Sequence, residues 1–395
     1  MHDHHSALGL VQARRPILPV TLIRPHAAFR AARFFVEKFP GKSLYAVKAN
    51  PDPDLLHVLW EAGITHYDVA SMGEVRLVSE TLPEATLCFM HPVKAEEAIE
   101  EAYFCHGVKT FSLDSLDELE KIRRGTRGAT DLNLLVRLRV SSDHAKLSLA
   151  AKFGAEPEEL TQLLMETRQV ADALGLCFHV GSQAMSPAAF GDAMERVRQA
   201  IIDSAVTIDI VDVGGGFPSA YPDMEPPALD GFFQMIHEKF EDLPISYSAE
   251  LWAEPGRALC AEYSSVLARV EQRRGDTLYI NEGAYGALFD AAHVGWRYPT
   301  SLVRSEPSEA PLKGFRFFGP TCDDMDKMEG PFFLPDDIKA GDYIEIGMLG
   351  AYGNAMRTGF NGFGVEDVVR VSDEPMLTLY GARPEPDDAS NVVRL

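Results

Sequence analysis

The sequence has few cysteines, and no two of them are spaced as a known disulfide or metal-binding motif would require. The 395-residue chain holds five, with no Cys-x-x-Cys motif. This absence argues against a disulfide framework and against a cysteine-based zinc site. Four of the five lie in apolar runs or predicted helices and are interpreted as core thiols, namely Cys88, Cys105, Cys177 and Cys260. Cys322 differs, because it lies in the turn-like segment Gly319-Pro320-Thr321-Cys322-Asp323.

Long hydrophobic runs and basic charge are also scarce. No apolar stretch reaches eighteen residues, so no membrane span is predicted. The first residues lead into no hydrophobic signal-peptide core, and we expect a cytoplasmic protein. Lys and Arg number 37 against 59 Asp and Glu, which gives a formal net charge of -22. Such a charge disfavours binding to nucleic acid or to an anionic membrane, and it suits a cationic ligand.

Between residues 43 and 257, short β-rich runs alternate with helical stretches. We count eight such runs, at Ser43–Lys48, His66–Ala70, Thr86–Met90, Lys109–Leu113, Leu132–Val140, Leu176–Gly181, Ile208–Gly214 and Tyr247–Glu254. Helix-period segments lie between them, among them Pro53–Ala62, Met72–Glu80, Ser115–Arg124, Pro157–Leu174 and Pro187–Ser204. Eight β-α units with nearly continuous apolar strands predict a parallel sheet closed into a (β/α)8 barrel. An open doubly wound sheet is the alternative.

The periodicity changes after Arg257. Shorter β-type runs separated by turns predict a mainly antiparallel β domain, at Ser265–Val270, Asp276–Ile280, Phe315–Phe318, Tyr343–Gly347 and Met376–Leu379. Ile17–Arg24 has the β character to join it. Since the length suggests two domains, we expect residues 25–260 to form the barrel and residues 1–24 and 261–395 to form the β domain.

In such a barrel, the carboxyl ends of the strands form the active-site face. These ends carry Lys48, Asp68, Arg137 or Arg139, His179 with Ser182, Gly214-Gly215-Gly216, and Glu254. Each group alone would be an ordinary capping or loop residue. Six strand ends that all carry reactive or ligand-binding groups predict one shared site.

The three glycines allow backbone N–H groups to approach a phosphate, although a tight turn would need them equally. They lack the Lys-Ser/Thr of a P-loop and the spacing of a dinucleotide fingerprint. Arg257 can add a bidentate donor, and Glu254 can face a ring nitrogen. Together with Lys48 and a histidine able to stack, these groups describe a site for pyridoxal phosphate, with the lysine bound to the aldehyde.

The chain resembles the fold-type III pyridoxal-phosphate decarboxylases, which include ornithine, lysine and diaminopimelate decarboxylases. The resemblance covers about residues 40 to 365 and implies an alanine-racemase-like fold. It depends on Tyr45-Ala46-Val47-Lys48-Ala49-Asn50, Tyr67-Asp68-Val69-Ala70-Ser71, Lys152-Phe153-Gly154, Phe178-His179-Val180-Gly181-Ser182, the three glycines, Glu254-Pro255-Gly256-Arg257, Gly319-Pro320-Thr321-Cys322-Asp323 and Gly350-Ala351-Tyr352.

The resemblance implies a role for each matching position. Lys48 would bind the cofactor, His179 would stack on its ring, and Glu254 would face the pyridine nitrogen. Arg137, preferred over Arg139 because it stands fifteen residues before Lys152, would be the family's strand arginine. The implied phosphate ligands are Ser182, Gly215, Gly216, Arg257 and Tyr352, and the implied supports of the lysine are Asp68 and Glu74.

The resemblance also implies a homodimer with shared active sites. Cys322 would control protonation after decarboxylation in the neighbouring subunit's site, and Asp323 would bind the distal ammonium of the substrate. Asp290, in a segment resembling the family's substrate loop, would face the same ammonium, and Tyr285 at the start of that segment is a further candidate substrate ligand.

A small cationic amino acid is therefore the expected substrate, with L-ornithine preferred. L-Lysine, or both amino acids, is the alternative, because one methylene changes binding by only about 1–3 kcal/mol. Diaminopimelate is less favoured, since those enzymes carry a glutamate where Asp323 stands.

Two readings from other classes remain open. An inactive relative that binds a regulatory partner would be expected to lose the lysine, the glycines or the Cys-Asp pair, all of which are present. A metal-dependent (β/α)8 hydrolase would need clustered His and Asp ligands at strand ends, and His179 has no convincing companions, so no metal is expected.

Overall fold

A computed structural model describes residues 3–140, 144–149, 151–365 and 367–381. Its centre is a closed barrel of eight parallel strands whose spatial order is their chain order. The strands are Lys42–Ala46, His66–Val69, Thr86–Phe89, Thr110–Leu113, Asn133–Arg137, Ala173–Cys177, Ile210–Asp212 and Glu250–Ala253. The predicted barrel is confirmed, and the open-sheet alternative is wrong because the seventh strand pairs with the sixth and the eighth, which in turn pairs with the first.

Helices cover the outside of the barrel. They are Pro25–Lys38, Pro53–Glu61, Met72–Thr81, Glu96–His106, Leu116–Gly125, Pro157–Arg168, Ala188–Ser204 and Leu229–Glu241. Proline opens three of them at the first turn, where its missing N–H costs nothing. Ser71 and Ser115 each cap a helix by accepting a backbone N–H three residues on. Short helices at Ala7–Arg14, Arg257–Cys260 and Phe289–His293 lie outside this ring.

A curled nine-stranded sheet, mostly antiparallel, forms the second part of the molecule. Its strands are Asp3–His4, Val20–Ile23, Ser264–Arg274, Thr277–Ile280, Thr300–Val303, Leu312–Phe318, Lys327–Pro335, Tyr343–Ile346 and Asp367–Val371. Val20–Ile23 pairs with Ser264–Leu267, so the N-terminal segment joins this sheet as predicted. A two-stranded ribbon pairs Ala145–Leu147 with Ser182–Ala184 beside the barrel.

Two predicted elements are wrong. The helix that begins at Pro157 ends at Arg168, because Ala173 and the residues after it pair with the fifth barrel strand. No strand forms at Met376–Leu379, where the Leu379 N–H donates to the Glu262 carboxylate instead of to a neighbouring strand. The last part of the predicted β domain, residues 382–395, lies outside the described residues. Within the described residues, no helix is both long and apolar enough to cross a membrane.

Candidate active site

A cavity of about 360 Å³ opens at the carboxyl ends of the barrel strands. The predicted residues that line it are Lys48, Asp68, Arg137, His179, Ser182, Gly215, Gly216, Glu254, Arg257 and Tyr352. Sequence reasoning did not place His91 or Leu149 there, yet both line the same cavity. The barrel therefore gathers groups from distant parts of the chain around one space.

Lys48 lies in a single 3₁₀ turn, Val47–Ala49, directly after the first barrel strand. Its Nζ lies 3.1 Å from Asp68 Oδ2. Burial disfavours the ammonium, but the charges of Asp68 and Glu254 outweigh that penalty and raise the pKa of Lys48 above its ordinary value. The side chain is still 43% exposed, because it points into the cavity. The lysine is thus a cation held beside a buried carboxylate.

His179 follows the sixth barrel strand and lines the cavity. Burial, followed by the positive charges of Lys48 and Arg137, holds the pKa of His179 well below its ordinary value. The Gly181 N–H donates to His179 Nδ1 at 3.0 Å, which places the ring proton on Nε2. A neutral, oriented imidazole of this kind can stack on an aromatic ring.

The structure separates the two candidate arginines of the fifth strand. Arg137 ends the strand and lines the cavity, with its guanidinium carbon 5.5 Å from the centre of the Phe153 ring. Arg139 forms an ion pair with Glu156 and does not border the cavity. This placement favours Arg137.

Two buried carboxyl groups lie at the ends of the last two barrel strands. Burial, and then the charges of Asp212 and Asp68, raise the pKa of Glu254 well above its ordinary value. Burial also raises the pKa of Asp212 from its ordinary value of 3.8 to about 7. Sequence reasoning assigned Asp212 no role. The available signal was a carboxyl within the apolar run Val211-Asp212-Val213.

The glycine run is required by close contacts on both sides. A Cβ on Gly215 would lie 3.0 Å from His179 Nε2 and 2.8 Å from the Glu254 carbonyl oxygen. Gly216 has a φ of +108°, which a side chain would disfavour. The Gly214 N–H donates to Asp212 Oδ1 at 2.8 Å and ties the run to the strand end.

Arg257 is buried between aromatic rings. Its guanidinium carbon lies 4.5 Å from the Trp296 ring centre and 4.9 Å from that of Tyr352, and Nη1 donates to Tyr221 Oη at 3.0 Å. Nη2 lies 3.5 Å from Ser182 Oγ. Within the described residues, Nε has no hydrogen-bond partner. An unused buried donor beside a hydroxyl and a glycine run is a donor set that fits a phosphate group.

Tyr352 is held against the lysine turn. Its N–H donates to the Ala49 carbonyl at 2.8 Å, and Asn50 Nδ2 donates to the Gly350 carbonyl at 2.8 Å. Tyr352 has a φ of +59°, a conformation that costs a non-glycine residue about 1–3 kcal/mol. These bonds to the lysine turn hold the tyrosine at the cavity despite that strain.

Glu74 and Asp290 do not line the cavity. Glu74 Oε2 accepts the Ala70 N–H at 2.7 Å, so it stabilises the turn that follows Asp68. Asp290 Oδ2 lies 3.6 Å from Arg257 Nη2. In a single chain, Asp290 is therefore an ionic neighbour of the buried arginine.

Cys322, Asp323 and Tyr285 also lie outside the Lys48 cavity. Cys322 is exposed and, with Asp323, lines a second cavity of about 1030 Å³ beside the β-sheet. Tyr285 donates a hydrogen bond to Asp323, which lowers the pKa of that carboxyl. One chain thus keeps these three residues together but does not bring them to Lys48.

Comparison with known proteins identifies the family. Residues 26–261 match the family model described as pyridoxal-dependent decarboxylase, pyridoxal binding domain. The lysine/ornithine decarboxylase of Selenomonas ruminantium is 32% identical over 87% of this chain and 86% of its own length. Antizyme inhibitor 2 of Xenopus laevis is 29% identical over 87% of this chain and 77% of its own length.

The fold has solved counterparts. The arginine decarboxylase of Paramecium bursaria Chlorella virus, bound to agmatine, superposes with a TM-score of 0.82 at 26% identity, over 92% of this chain and 98% of that one. The donor set around Lys48 and Arg257 fits the cofactor that the matching family model names. The chain belongs to the pyridoxal-dependent decarboxylase family, and pyridoxal phosphate is its cofactor.

Proposed function

We propose that the protein decarboxylates a basic L-amino acid, with L-ornithine as the preferred substrate and putrescine as the product, a step in polyamine biosynthesis. One observation carries the proposal: the Lys48 amine, the Glu254 carboxyl and the buried Arg257 guanidinium all line one cavity. The bound cofactor supplies an electron sink for the substrate's α-carbon.

Different residues of the cavity would bind different parts of that cofactor. Lys48 Nζ would bind the aldehyde, with Asp68 orienting the amine. Glu254 would face the pyridine nitrogen, and His179, whose pKa burial lowers, would stack on the ring as a neutral imidazole. Arg137 would be the strand arginine that borders the cofactor. Ser182, Gly215, Gly216, Arg257 and Tyr352 bind the phosphate, and Glu74 supports the turn beyond Asp68.

The site is completed by a second copy of the chain in a homodimer. Cys322 of that copy delivers the proton that replaces the lost carboxylate, and Asp323 and Tyr285 bind the distal ammonium. Supporting this assignment, Cys322 is exposed and Asp323 remains a carboxylate under the influence of Tyr285. An intact set of these residues also favours an enzyme over a regulatory binding protein.

Asp290 provides a second carboxylate for the ammonium. Its carboxylate lies 3.6 Å from Arg257 Nη2, and it would have to turn from that arginine to meet a substrate cation. Two carboxylates around one ammonium suit ornithine or lysine better than diaminopimelate, whose distal end also carries a carboxylate.

Side-by-side carbon dioxide release from ornithine, lysine, arginine and diaminopimelate tests the substrate, with Lys48→Ala as the blank. We expect the highest kcat/KM for ornithine. Equal values for ornithine and lysine would instead establish dual specificity. No release from any of the four, by protein that has bound the cofactor, would favour the regulatory alternative.

A further inference from the structure

Asp326 joins two loops that carry candidate substrate-binding residues. Its side chain is buried, with 4% exposure. Oδ1 accepts the Ala284 N–H at 2.7 Å, while Oδ2 accepts the Thr321 N–H at 3.0 Å and the Thr321 hydroxyl at 2.7 Å. Ala284 immediately precedes Tyr285, and Thr321 immediately precedes Cys322. One carboxylate therefore fastens the two loops together.

The surrounding backbone is shaped around this carboxylate. A Cβ on Gly283 would lie 2.2 Å from Asp326 Oδ1, and one on Gly319 would lie 2.1 Å from the same atom. Any side chain at either position would displace the carboxylate. The Gly319 N–H donates to the Asp326 carbonyl at 2.8 Å, and the Asp326 N–H donates to the Asp323 carbonyl at 3.0 Å, which closes the loop on itself.

Two of the three hydrogen bonds to the Asp326 carboxylate come from backbone N–H groups. Across the described ranges, no Lys or Arg nitrogen lies within ion-pair distance of its carboxylate, so its partners are two backbone N–H groups and one hydroxyl. At the exposed side of the same junction, Tyr285 donates to Asp323. The buried carboxylate thus sets the spacing between the Tyr285 loop and the Cys322-Asp323 pair.

We propose that Asp326 is a positioning residue. It locks Tyr285, Cys322 and Asp323 into one preformed unit, which each chain presents to the cofactor site of its partner. Without it, the Thr321 N–H loses its acceptor and the two loops separate. The inference rests on the proposed shared active site, because the unit does not border the Lys48 cavity of its own chain.

The first test compares Asp326→Asn with Asp324→Asn, which removes the same charge from an exposed position in the same loop. For Asp326→Asn we expect kcat/KM to fall by about tenfold or more, with a higher KM, because a buried N–H is left unpaired. Cofactor affinity and absorbance should stay at wild-type values, and Asp324→Asn should resemble wild type. Wild-type kinetics for Asp326→Asn, or loss of cofactor binding, would overturn the proposal.

The second test uses heterodimers purified through two different tags. A Lys48→Ala chain paired with an Asp326→Asn chain contains one site with no altered residue, so we expect about half the wild-type activity. An Asp326→Asn chain paired with Cys322→Ala should stay at the low activity of its parents, because each site receives one damaged unit.

The Lys48→Ala and Cys322→Ala heterodimer separates the possible failures. If this pair recovers activity but Lys48→Ala with Asp326→Asn does not, the sites are shared and Asp326 acts elsewhere. If neither pair recovers activity, the shared site and the proposal for Asp326 both fail.

Discussion

At the level of single residues, we expect Lys48 and Cys322 to have separable roles. Lys48 lies 3.1 Å from Asp68 in the cavity, whereas Cys322 is exposed beside the β-sheet. We expect Lys48→Ala to lose both the visible absorbance of the bound cofactor and decarboxylation. Cys322→Ala should keep the absorbance and lose turnover by about 10²–10⁴-fold, as for removal of a catalytic acid. Absorbance spectra measure cofactor binding in the two variants, and carbon dioxide release measures their turnover. Full activity in Cys322→Ala would remove the thiol from the mechanism.

We expect Asp212 to make the stability of the cofactor-free protein depend on pH. Its pKa is about 7 in the folded protein against an ordinary value of 3.8, so the folded state binds the extra proton between these pH values. Stability that depends on this proton is present at low pH and is lost as the pH rises toward 7. We therefore expect the melting temperature of Asp212→Asn, relative to wild type, to increase between about pH 4 and pH 7. Calorimetry of both cofactor-free proteins across that range measures it, and a constant difference would contradict the assignment.

At the level of single elements, we expect cofactor binding to depend on the close packing of the glycine run. Ala at position 215 would place a methyl group 3.0 Å from His179 Nε2, displacing the ring that is proposed to stack on the cofactor. We expect Gly215→Ala to weaken cofactor binding at least about tenfold, because a shift of a few tenths of an ångström misaligns both ring and phosphate donors. Gly231→Ala is the matched control. Gly231 lies in the helix Leu229–Glu241, and the nearest atom that a new methyl group would meet outside that helix is 3.9 Å away. Cofactor titration by absorbance compares the two, and equal affinities would show that the ring has room to move.

Elements with a strong apolar pattern could be predicted from the sequence, and those without one could not. The barrel strands are short buried runs, so the barrel and the strand-end residues followed from them. Lys327–Pro335 forms a strand, but Gly330-Pro331 interrupts its alternation of apolar and polar residues, so the sequence predicted no strand there. Burial and then the charge of Asp212 raise the pKa of Glu254, which stands 42 positions after Asp212 in the sequence, and only the closed barrel brings the two carboxyl groups together.

At the level of the whole molecule, activity should follow dimer formation. No single chain brings Cys322 to the Lys48 cavity, so we expect monomers to be inactive. Specific activity should therefore fall on dilution and reach about half its plateau when the chain concentration equals the dimer dissociation constant. Sedimentation at the same concentrations measures the dimer fraction. A dilute monomer with full specific activity would contradict the shared site.

The net charge of the chain predicts that added salt favours dimer formation. Each chain carries a formal charge of -22, so two approaching copies repel each other across the solvent. Salt screens this repulsion, since the Debye length shortens from about 30 Å at 0.01 M to about 8 Å at 0.15 M. We therefore expect the dimer dissociation constant to fall, and the activity of a dilute sample to rise, over this range. At high protein concentration, where dimers are saturated, the same salt should leave activity unchanged, which separates dimer formation from effects on substrate binding. Weaker association with added salt would show that local ion pairs across the interface outweigh the overall repulsion.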